Sequence, residues 1–337
     1  MKQIPYGRHF IDKKDIESVV KSLKKDFITS GDGSKKFENQ VKEFTGSKYA
    51  ITCNSGTSAL FLIFKSLNIK IGDNIIVPSI NFIATNNLLN TMGANIFLAD
   101  VDKNTGQMGP GEILTCIKKN KLKNIKAIVS MYLSGDANNI EGLYLIKKKF
   151  NCFLVEDACH ALGSQYLHNN KVYKIGSCKH SDACAFSLHP LKSITSGEGG
   201  VITTNIKSIY DNSLLYRSHG IIRSPNHYKY NIKKAGMNFR LSDINIALAS
   251  SQLKKINRFI DRRNEIRKLY DQLLSKNNYI LQKEKKPEIS VSSCHLYQIQ
   301  IDVKKISITI DTIIKKMLKK NITLQKHYIP VYKHTLY

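Results

Sequence analysis

The chain has 337 residues, and its 52 Lys and Arg against 26 Asp and Glu give a formal net charge of +26. With 42% hydrophobic and 23% charged residues, it is expected to form a globular fold with one large core and a smaller second domain, which excludes a disordered chain. No apolar stretch reaches the length of a membrane span and the first residues lack a signal-peptide core, so we expect a cytoplasmic protein with no membrane partner.

The hydrophobic pattern predicts an α/β fold built on a mostly parallel sheet. Amphipathic helices are expected at 12–27 and 35–44. Seven short β-rich runs then alternate with stretches of helix length, an order that indicates parallel strands covered by helices on both faces. The runs are 49–53, 74–78, 95–101, 125–131, 152–155, 183–188 and 200–204. We therefore expect a seven-stranded sheet in a large domain over 1–240, which includes the N-terminal segment 1–30.

The last third of the chain predicts a smaller C-terminal α+β domain over 241–337. Its expected elements are a long amphipathic helix at 242–274, for which a kink is the alternative to a straight helix, a polar connector at 281–290, a strand at 293–302, a helix at 310–319 and a strand at 322–327.

The first strand runs into small hydroxyl residues where the next helix begins, in the sequence NSGTSAL at 54–60. Free N–H groups and hydroxyls at a helix start bind anions, so Gly56, Thr57 and Ser58 are candidate phosphate ligands. The pattern matches neither G-x-G-x-x-G nor G-x-x-x-x-G-K-[ST], which argues against NAD and ATP. An ordinary Ser/Thr helix cap is the alternative.

A carboxylate and a histidine follow the apolar strand at 152–155, in the sequence EDACH at 156–160. Side chains at the carboxyl end of a buried strand point into the crevice where open α/β sheets bind ligands. Asp157 is therefore a candidate ligand-binding carboxylate, and capping of the next helix is the alternative.

Lys192 lies in the sequence SLHPLKSITSGEGG at 187–200, where a strand ends and a tight loop begins. A partly desolvated amine held there can lose its proton near neutral pH and attack a carbonyl group, as a Schiff-base lysine must. For this residue taken alone, a solvated loop lysine is the alternative.

In this order and spacing, the three motifs resemble the DegT/DnrJ/StrS group of fold type I, pyridoxal-phosphate-dependent nucleotide-sugar aminotransferases. Further matching segments extend the resemblance over nearly the whole chain, at 4–6, 77–86, 217–220 and 236–242. The segments 4–31 and 325–337 look most like the branch that aminates UDP-4-keto-sugars in pseudaminic acid synthesis.

The resemblance implies roles around the cofactor pyridoxal 5′-phosphate. Lys192 holds it as a Schiff base and then acts as general base and acid. Asp157 keeps the pyridine nitrogen protonated, Phe82 stacks on the ring and His160 reaches the ring hydroxyl. The implied phosphate ligands are Gly56, Thr57, Ser58, Ser187 and, across a homodimer, Asn238 of the partner subunit. A core Phe, a structural His and a turn Asn are the respective alternatives for Phe82, His160 and Asn238.

The same resemblance implies the substrates. L-glutamate gives its amino group to the 4-keto group of a nucleotide-linked 4-keto-6-deoxysugar, which in that branch is UDP-2-acetamido-2,6-dideoxy-hex-4-ulose. The product is a 4-amino sugar for surface polysaccharide or glycan synthesis. Candidate ligands of the sugar nucleotide or amino donor are Tyr6, Arg217, His219, Arg240, His327 and Tyr328, for which a plain surface position is the alternative.

Other functions stay open at this point. The substrate could be a dTDP- or GDP-linked 4-ketosugar. The family continues for a few dozen residues past the position of Tyr337, so we expect an incomplete small domain, and a truncated inactive homologue is an alternative. Sugar 3-dehydratases share the fold but carry His in place of Lys192, which favours transamination.

The charge and the cysteines suggest two further classes of function. The net charge of +26 is compatible with nucleic-acid binding, but it comes mostly from scattered lysines without a reading motif, so we expect no nucleic-acid partner. The seven cysteines show no metal-type C-x-x-C pairing, and we expect reduced thiols and no bound metal.

Overall fold

The computed structural model describes residues 3–224, 228–281 and 289–337. Its helices in chain order are α1 (Lys13–Leu23), α2 (Gly33–Thr45), α3 (Gly56–Ser66), α4 (Ala84–Thr91), α5 (Pro110–Lys119), α6 (Ile140–Phe150), α7 (Lys207–Arg217), α8 (Asp243–Leu253), α9 (Ile256–Leu274) and α10 (Ile310–Lys319). Its strands are β1 (Tyr49–Cys53), β2 (Asn74–Pro78), β3 (Asn95–Ala99), β4 (Ala127–Met131), β5 (Phe153–Asp157), β6 (Gln165–His168), β7 (Lys171–Lys174), β8 (Ala183–Ser187), β9 (Gly200–Thr204), β10 (Ile221–Arg223), β11 (Tyr230–Ile232), β12 (Ile280–Leu281), β13 (Ile289–Val291) and β14 (Gln300–Ile301).

Seven strands form the central sheet, in the order β1-β9-β8-β5-β4-β2-β3. The pairs β2/β3, β2/β4, β4/β5 and β5/β8 are parallel, whereas β8/β9 and β1/β9 are antiparallel. The predicted seven-stranded, mostly parallel sheet is therefore confirmed. Its parallel strands all end at one edge, where loops and helix starts meet.

The sheet is buried on both faces. In β4, Ile128 packs into one apolar cluster and Val129 into another on the opposite face. Neither side chain is more than 1% exposed, so the strand reads as a continuous apolar run rather than an alternating one.

The long helix predicted over 242–274 is interrupted. It forms α8 and α9, and Lys255 between them leaves the helical region, with φ −109° and ψ 2°. The Lys255 ammonium lies 2.7 Å from the fully buried Asp15 carboxylate of α1. The break thus fastens the N-terminal helix to the start of α9.

The C-terminal region is only partly as predicted. The helix expected at 310–319 is confirmed as α10. The strands expected at 293–302 and 322–327 are wrong: within the first, the described strand is Gln300–Ile301, and Ile322 makes an isolated bridge to Ile4. The backbone of 293–295 bonds to loops of the large sheet instead, because the Ser293 N–H donates to Ser164 Oγ at 3.0 Å.

Some expectations stay as they were. The polar connector at 281–290 falls mostly on 282–288, outside the described residues, and the domain boundary between 240 and 241 stays a prediction. Across the described ranges, we find no helix of the length and apolarity needed to cross a membrane.

Candidate active site

A cavity of about 410 Å³ opens where β4, β5 and β8 end and α3 begins. Most of the candidate residues converge there from distant parts of the sequence, since they follow strands that end at the same edge. The predicted residues that line it are Tyr6, Gly56, Thr57, Phe82, Asp157, His160, Ser187, Lys192, His327 and Tyr328.

The start of α3 forms one wall of the cavity. Ser55 caps the helix by accepting the Ser58 N–H at 3.0 Å. The first N–H groups of the helix, on Gly56 and Thr57, have no partner within the helix and are suited to an anion. Ser58 does not line the cavity, because its hydroxyl donates to Asn54 Oδ1 at 2.6 Å, so the structure corrects its expected role as a ligand.

Gly56 allows a close approach that no other residue permits. A Cβ at this position would lie 2.9 Å from Ser187 Cβ and 3.1 Å from Cys159 Sγ. The helix start therefore abuts the ends of β8 and β5, and the Ser187 hydroxyl joins the exposed N–H groups. This set of donors fits the phosphate of pyridoxal phosphate.

Asp157 ends β5 and is 3% exposed. Thr85 Oγ1 donates to its carboxylate at 3.4 Å, and the Cys159 N–H donates at 3.2 Å. Burial raises the pKa of the Asp157 carboxyl, opposed by these hydrogen bonds and by the charge of Lys192. A buried carboxylate with only long hydrogen bonds fits a cationic partner such as a protonated pyridine nitrogen.

Lys192 lies in a loop that is fixed at both ends. Its N–H donates to His189 O at 2.9 Å, and further along Ser196 N–H donates to Leu188 O at 2.9 Å. Burial lowers the pKa of the Lys192 amine, opposed by the charges of Cys159 and Asp157. The amine is therefore closer to its neutral, nucleophilic form than a solvated lysine.

Two histidines pack together beside Lys192. The rings of His160 and His295 lie 4.2 Å apart, and His160 Nε2 hydrogen-bonds the Tyr328 hydroxyl at 3.0 Å. Burial lowers the pKa of both histidines well below 6.5, so both are neutral at pH 7. The Nδ1 atoms of both rings are buried without a hydrogen-bond partner, which leaves polar atoms available beside a ligand.

Phe82 and Tyr6 lie at the mouth of the cavity. Phe82 is 53% exposed, which excludes the alternative of a core Phe and leaves a ring face available for stacking. The Tyr6 hydroxyl bonds His327 Nε2 at 2.8 Å, and burial raises the pKa of Tyr6 to about 12. Together with the start of α3, the Lys192 amine and the Asp157 carboxyl, these groups fit pyridoxal phosphate.

Besides Ser58, four candidate residues lie outside this cavity. Arg217 donates to Glu38 Oε1 at 2.8 Å and to Thr52 O at 2.9 Å, so its guanidinium is a structural group rather than the expected substrate ligand. The other three are the exposed His219 and Asn238 and the partly buried Arg240. His219 and Arg240 do not line the cavity of their own chain, and a substrate-binding role for them stays a prediction.

A second, larger cavity of about 670 Å³ adjoins the first, and Lys192 lines both. We call it the basic cleft, and define it by Arg8, Arg258, Arg262 and Arg263. Asp261 and Glu265 also line it, and Arg262 pairs with Glu265 at 2.8 Å. The Arg263 guanidinium donates to Lys192 O at 2.9 Å, and its Nη1 is buried without a partner. The sequence did not predict the cleft, because the arginines of α9 have the same pattern as arginines on a solvent-exposed helix face.

His295 was also missed. It falls in a run predicted as a strand, and the sequence offered one signal, an ionisable side chain within that run. Its place in the site depends on contacts with residues more than a hundred positions away, such as Lys192. Other lining residues missed by the sequence are Ser55, Cys159, His189, Glu198 and Gln325.

Comparison with known proteins is consistent with this geometry. The sequence pattern of the DegT/DnrJ/EryC1/StrS aminotransferase family matches residues 9–337. The UDP-4-amino-4,6-dideoxy-N-acetyl-beta-L-altrosamine transaminase of Campylobacter jejuni is 34% identical over 335 residues, which cover 99% of this chain and 86% of that enzyme.

Solved structures give the same result. PseC of Helicobacter pylori, an aminotransferase involved in the biosynthesis of pseudoaminic acid, matches with a TM-score of 0.88 and 32% identity over 100% of this chain and 87% of PseC. The PLP form of Spr1654 from Streptococcus pneumoniae matches with a TM-score of 0.88 and 25% identity over 99% of this chain and 87% of Spr1654.

The chain therefore belongs to the DegT/DnrJ/EryC1/StrS aminotransferase family. It is an enzyme, a sugar aminotransferase that depends on pyridoxal phosphate. The resemblance found from the sequence motifs, including the similarity to the pseudaminic acid branch, is confirmed.

One expectation is not supported. This expectation is the truncated small domain: the family match runs through residue 337, and the two relatives from Campylobacter and Helicobacter align with 99% and 100% of this chain and with 86% and 87% of their own lengths. Within the described residues, no group of three or more His, Cys, Asp or Glu side chains could hold a metal ion.

Proposed function

We propose that this enzyme transfers an amino group from L-glutamate to the 4-keto group of a nucleotide-linked 6-deoxysugar. The observation that carries the proposal is the convergence, in one cavity, of the Lys192 amine and the buried Asp157 carboxylate beside the start of α3. The relative from Campylobacter is named for a UDP-linked 4-amino-4,6-dideoxy sugar. We therefore propose the corresponding keto sugar, UDP-2-acetamido-2,6-dideoxy-hex-4-ulose, as the substrate.

The residues of the cavity divide the chemistry among them. When bound, pyridoxal phosphate supplies an aldehyde that condenses with amines and a ring that withdraws electrons from the bond being broken. Asp157 holds a proton on the ring nitrogen, and Phe82 packs against the ring face. The N–H groups of Gly56 and Thr57 and the Ser187 hydroxyl bind the phosphate.

Lys192 moves the proton. Because burial lowers its pKa, Nζ gives up its proton more readily than a solvated lysine does, and it would carry a proton from the α-carbon of the amino donor to the C4′ carbon of the cofactor. The neutral imidazole of His160 and the Tyr328 hydroxyl, 3.0 Å apart, border the same space and orient the polar edge of the ligand.

The basic cleft suits the nucleotide part of the substrate. Four arginines line this cleft together with Lys192, and Arg258 has no ion pair among the described residues. Its guanidinium lies over the Phe10 ring, 5.8 Å from the ring centroid. Planar guanidinium groups bind phosphate oxygens in pairs of hydrogen bonds. We place the diphosphate in this cleft, with the sugar directed through the position of Lys192 into the smaller cavity.

The enzyme is proposed to act as a homodimer with shared sites. Asn238 is exposed and lies outside the cavity of its own chain, which makes it available to the cavity of another copy. Its proposed role is to bind the cofactor phosphate of the partner subunit.

Two half-reactions test the proposal separately. L-glutamate is expected to abolish the visible absorption band of the cofactor-loaded enzyme, and the UDP-linked 4-keto sugar is expected to restore it, with D-glutamate as control. A band that L-glutamate leaves unchanged would contradict the donor. Faster recovery with dTDP- or GDP-linked 4-keto sugars would contradict the UDP-linked substrate.

Arg258→Gln tests the basic cleft. We expect the KM for the sugar nucleotide to rise about tenfold, because a charge-assisted hydrogen bond to phosphate is lost. Lys119→Gln on α5 removes the same charge at a position outside both cavities and serves as control. Equal effects of the two substitutions would argue against a phosphate site in the cleft.

A further inference from the structure

His295 touches the amine on which the proposed reaction depends. Its Nε2 lies 3.4 Å from Lys192 Nζ, at the long end of hydrogen-bond distance. The two residues are 103 positions apart in the sequence, so the contact depends on how the C-terminal segment docks on the sheet. No other hydrogen bond from the Lys192 amine is found among the described residues.

The backbone around His295 is held by the loops that follow β4 and β5. The His295 N–H donates to Ser134 O at 2.9 Å, and the Ser293 hydroxyl donates to His160 O at 2.6 Å. Gly135 makes this docking possible, since a Cβ there would lie 2.1 Å from Ser293 Oγ. These contacts fix the point from which the imidazole reaches Lys192.

The ring of His295 is restrained as well. It lies against the His160 ring, with centroids 4.2 Å apart and planes 50° apart, and the His160 ring is held in turn by Tyr328. A protonated His295 is disfavoured by burial first and then by the charges of Lys192 and Arg263. The charged or titratable groups that face His295 are His160, Lys192, Arg263, His327 and His189, and those that face Lys192 are His295, Cys159 and Asp157.

We propose that His295 is a positioning residue: its neutral Nε2 holds the Lys192 amine in one orientation toward the cavity before the cofactor is bound. An unrestrained lysine has four rotatable side-chain bonds and samples many positions, whereas a single hydrogen bond at its end selects among them. This inference rests on the proposed role of Lys192.

Loading of the cofactor-free enzyme with pyridoxal phosphate measures the proposed effect directly. In that step the Lys192 nitrogen forms a C=N bond with the aldehyde carbon and one water leaves, and the rate constant is read from the visible absorbance. His295→Leu keeps the volume but cannot hydrogen-bond, and His295→Gln keeps a neutral hydrogen-bonding group. We expect loading to be about tenfold slower in the Leu variant and within about threefold of wild type in the Gln variant.

Pyridoxamine phosphate gives a second readout, because it lacks the aldehyde and cannot react with Lys192. Its affinity is expected to be unchanged within about twofold in both variants, since a hydrogen bond to Lys192 is not part of that binding. His334→Gln, at an exposed position near the C-terminus, is the control for changing a histidine.

The outcomes separate the inference from the proposed function. Equal loading rates in the Leu and Gln variants, fast or slow, overturn the positioning role of His295. Failure of the wild type to load on Lys192 overturns the proposed site itself. If the Leu variant does not fold, His295→Ala takes its place. Faster loading of the Ala variant in the presence of free imidazole supports the role of His295, whereas an unchanged loading rate overturns it.

Discussion

The Lys192 amine is placed in surroundings that make it reactive and that also disfavour its charged form. Burial lowers the pKa of Lys192, so the folded protein binds this proton less tightly than the unfolded chain does. The folded state is therefore destabilised at any pH at which the unfolded chain holds the proton. The side chain therefore destabilises the cofactor-free fold at neutral pH. Such a conflict between stability and function is common at active sites.

Lys192→Met is expected to stabilise the cofactor-free enzyme at pH 7. For a base with a lowered folded-state pKa, the destabilisation is full below that pKa and disappears as the pH rises toward the unfolded value of about 10.4. The advantage of the Met variant in free energy of unfolding should therefore shrink between pH 7 and pH 10, as measured by urea denaturation. Lys48→Met, at an exposed position, is the control, and an advantage that does not change with pH would contradict the lowered pKa.

For Arg217 the sequence predicted a binding role, whereas the structure places its guanidinium in an ion pair with Glu38. Its guanidinium and the Glu38 carboxylate are 17% and 11% exposed as side chains, and they meet at 2.8 Å. Glu38 also accepts the Thr52 N–H at 2.8 Å, so the pair fastens α2 and α7 to β1. The sequence shows an arginine beside a motif but not the carboxylate 179 positions earlier.

Arg217→Met is expected to lower the free energy of unfolding by about 3 kcal/mol, because it leaves the Glu38 carboxylate buried without its cation. The double variant with Glu38→Gln should recover part of that loss in urea denaturation. A substrate role predicts the opposite pattern, with unchanged stability and a KM for the sugar nucleotide that rises more than tenfold.

Asp157 and Lys192 could be located from the sequence because each follows a buried apolar strand. Strands of this kind end at one edge of a parallel sheet, and the motif spacing then brings their loops together. His295 could not be located in this way. Its position results from backbone hydrogen bonds of 293–295 to Ser134 and Ser164, which override the strand propensity of the segment.

At the scale of elements, the short turn after β4 determines how the C-terminal segment reaches the site. Ser134 has φ 66° and Gly135 has φ 94°, both in the left-handed region. The turn exposes Ser134 O to the His295 N–H and leaves space beside Gly135 for the Ser293 hydroxyl. A change in this turn should therefore affect both stability and the position of His295.

Gly135→Ala is expected to lower the free energy of unfolding by about 3 kcal/mol, through left-handed strain and collision with Ser293 Oγ. Gly72→Ala is the matched control, because Gly72 has φ +83° but no atom within 4 Å of the position that a Cβ would take, and about 1 kcal/mol is expected there. Equal losses in thermal or urea unfolding would show that the turn does not depend on close packing with Ser293.

The elements differ in how far the sequence predicts them. The seven sheet strands were predicted because continuous apolar runs mark strands buried on both faces. The C-terminal strands were not, since Ile322 bridges to Ile4, residues 293–295 bond to loops of the sheet, and the short pair of β12 with β14 covers two residues of the run predicted at 293–302. At the break between α8 and α9, Lys255 pairs with Asp15 of α1, a contact that the local pattern of 242–274 does not contain.

At the scale of the whole molecule, two cavities of different character meet at Lys192. The smaller one combines an acid, neutral histidines and a helix start, whereas the larger one is lined by arginines. The net charge of +26 adds a general attraction for anionic substrates. The net charge is visible in the composition, whereas the separation of a basic cleft from the chemical site depends on the fold.

Subunit complementation tests the shared site. Lys192→Ala and Asn238→Ala are each expected to be inactive as homodimers, because each removes a residue from both sites. Mixed dimers contain one intact site, so an equal mixture after subunit exchange should recover about one quarter of wild-type activity. Activity that stays at the level of the separate variants would place both residues in the same subunit's site or exclude the dimer.

Reduction of the loaded enzyme with borohydride, followed by peptide mapping, identifies the amine that carries the cofactor. The reagent fixes the cofactor covalently to that amine, and we predict a pyridoxyl group on Lys192. A pyridoxyl group on a different lysine, or none at all in folded protein supplied with pyridoxal phosphate, would contradict it.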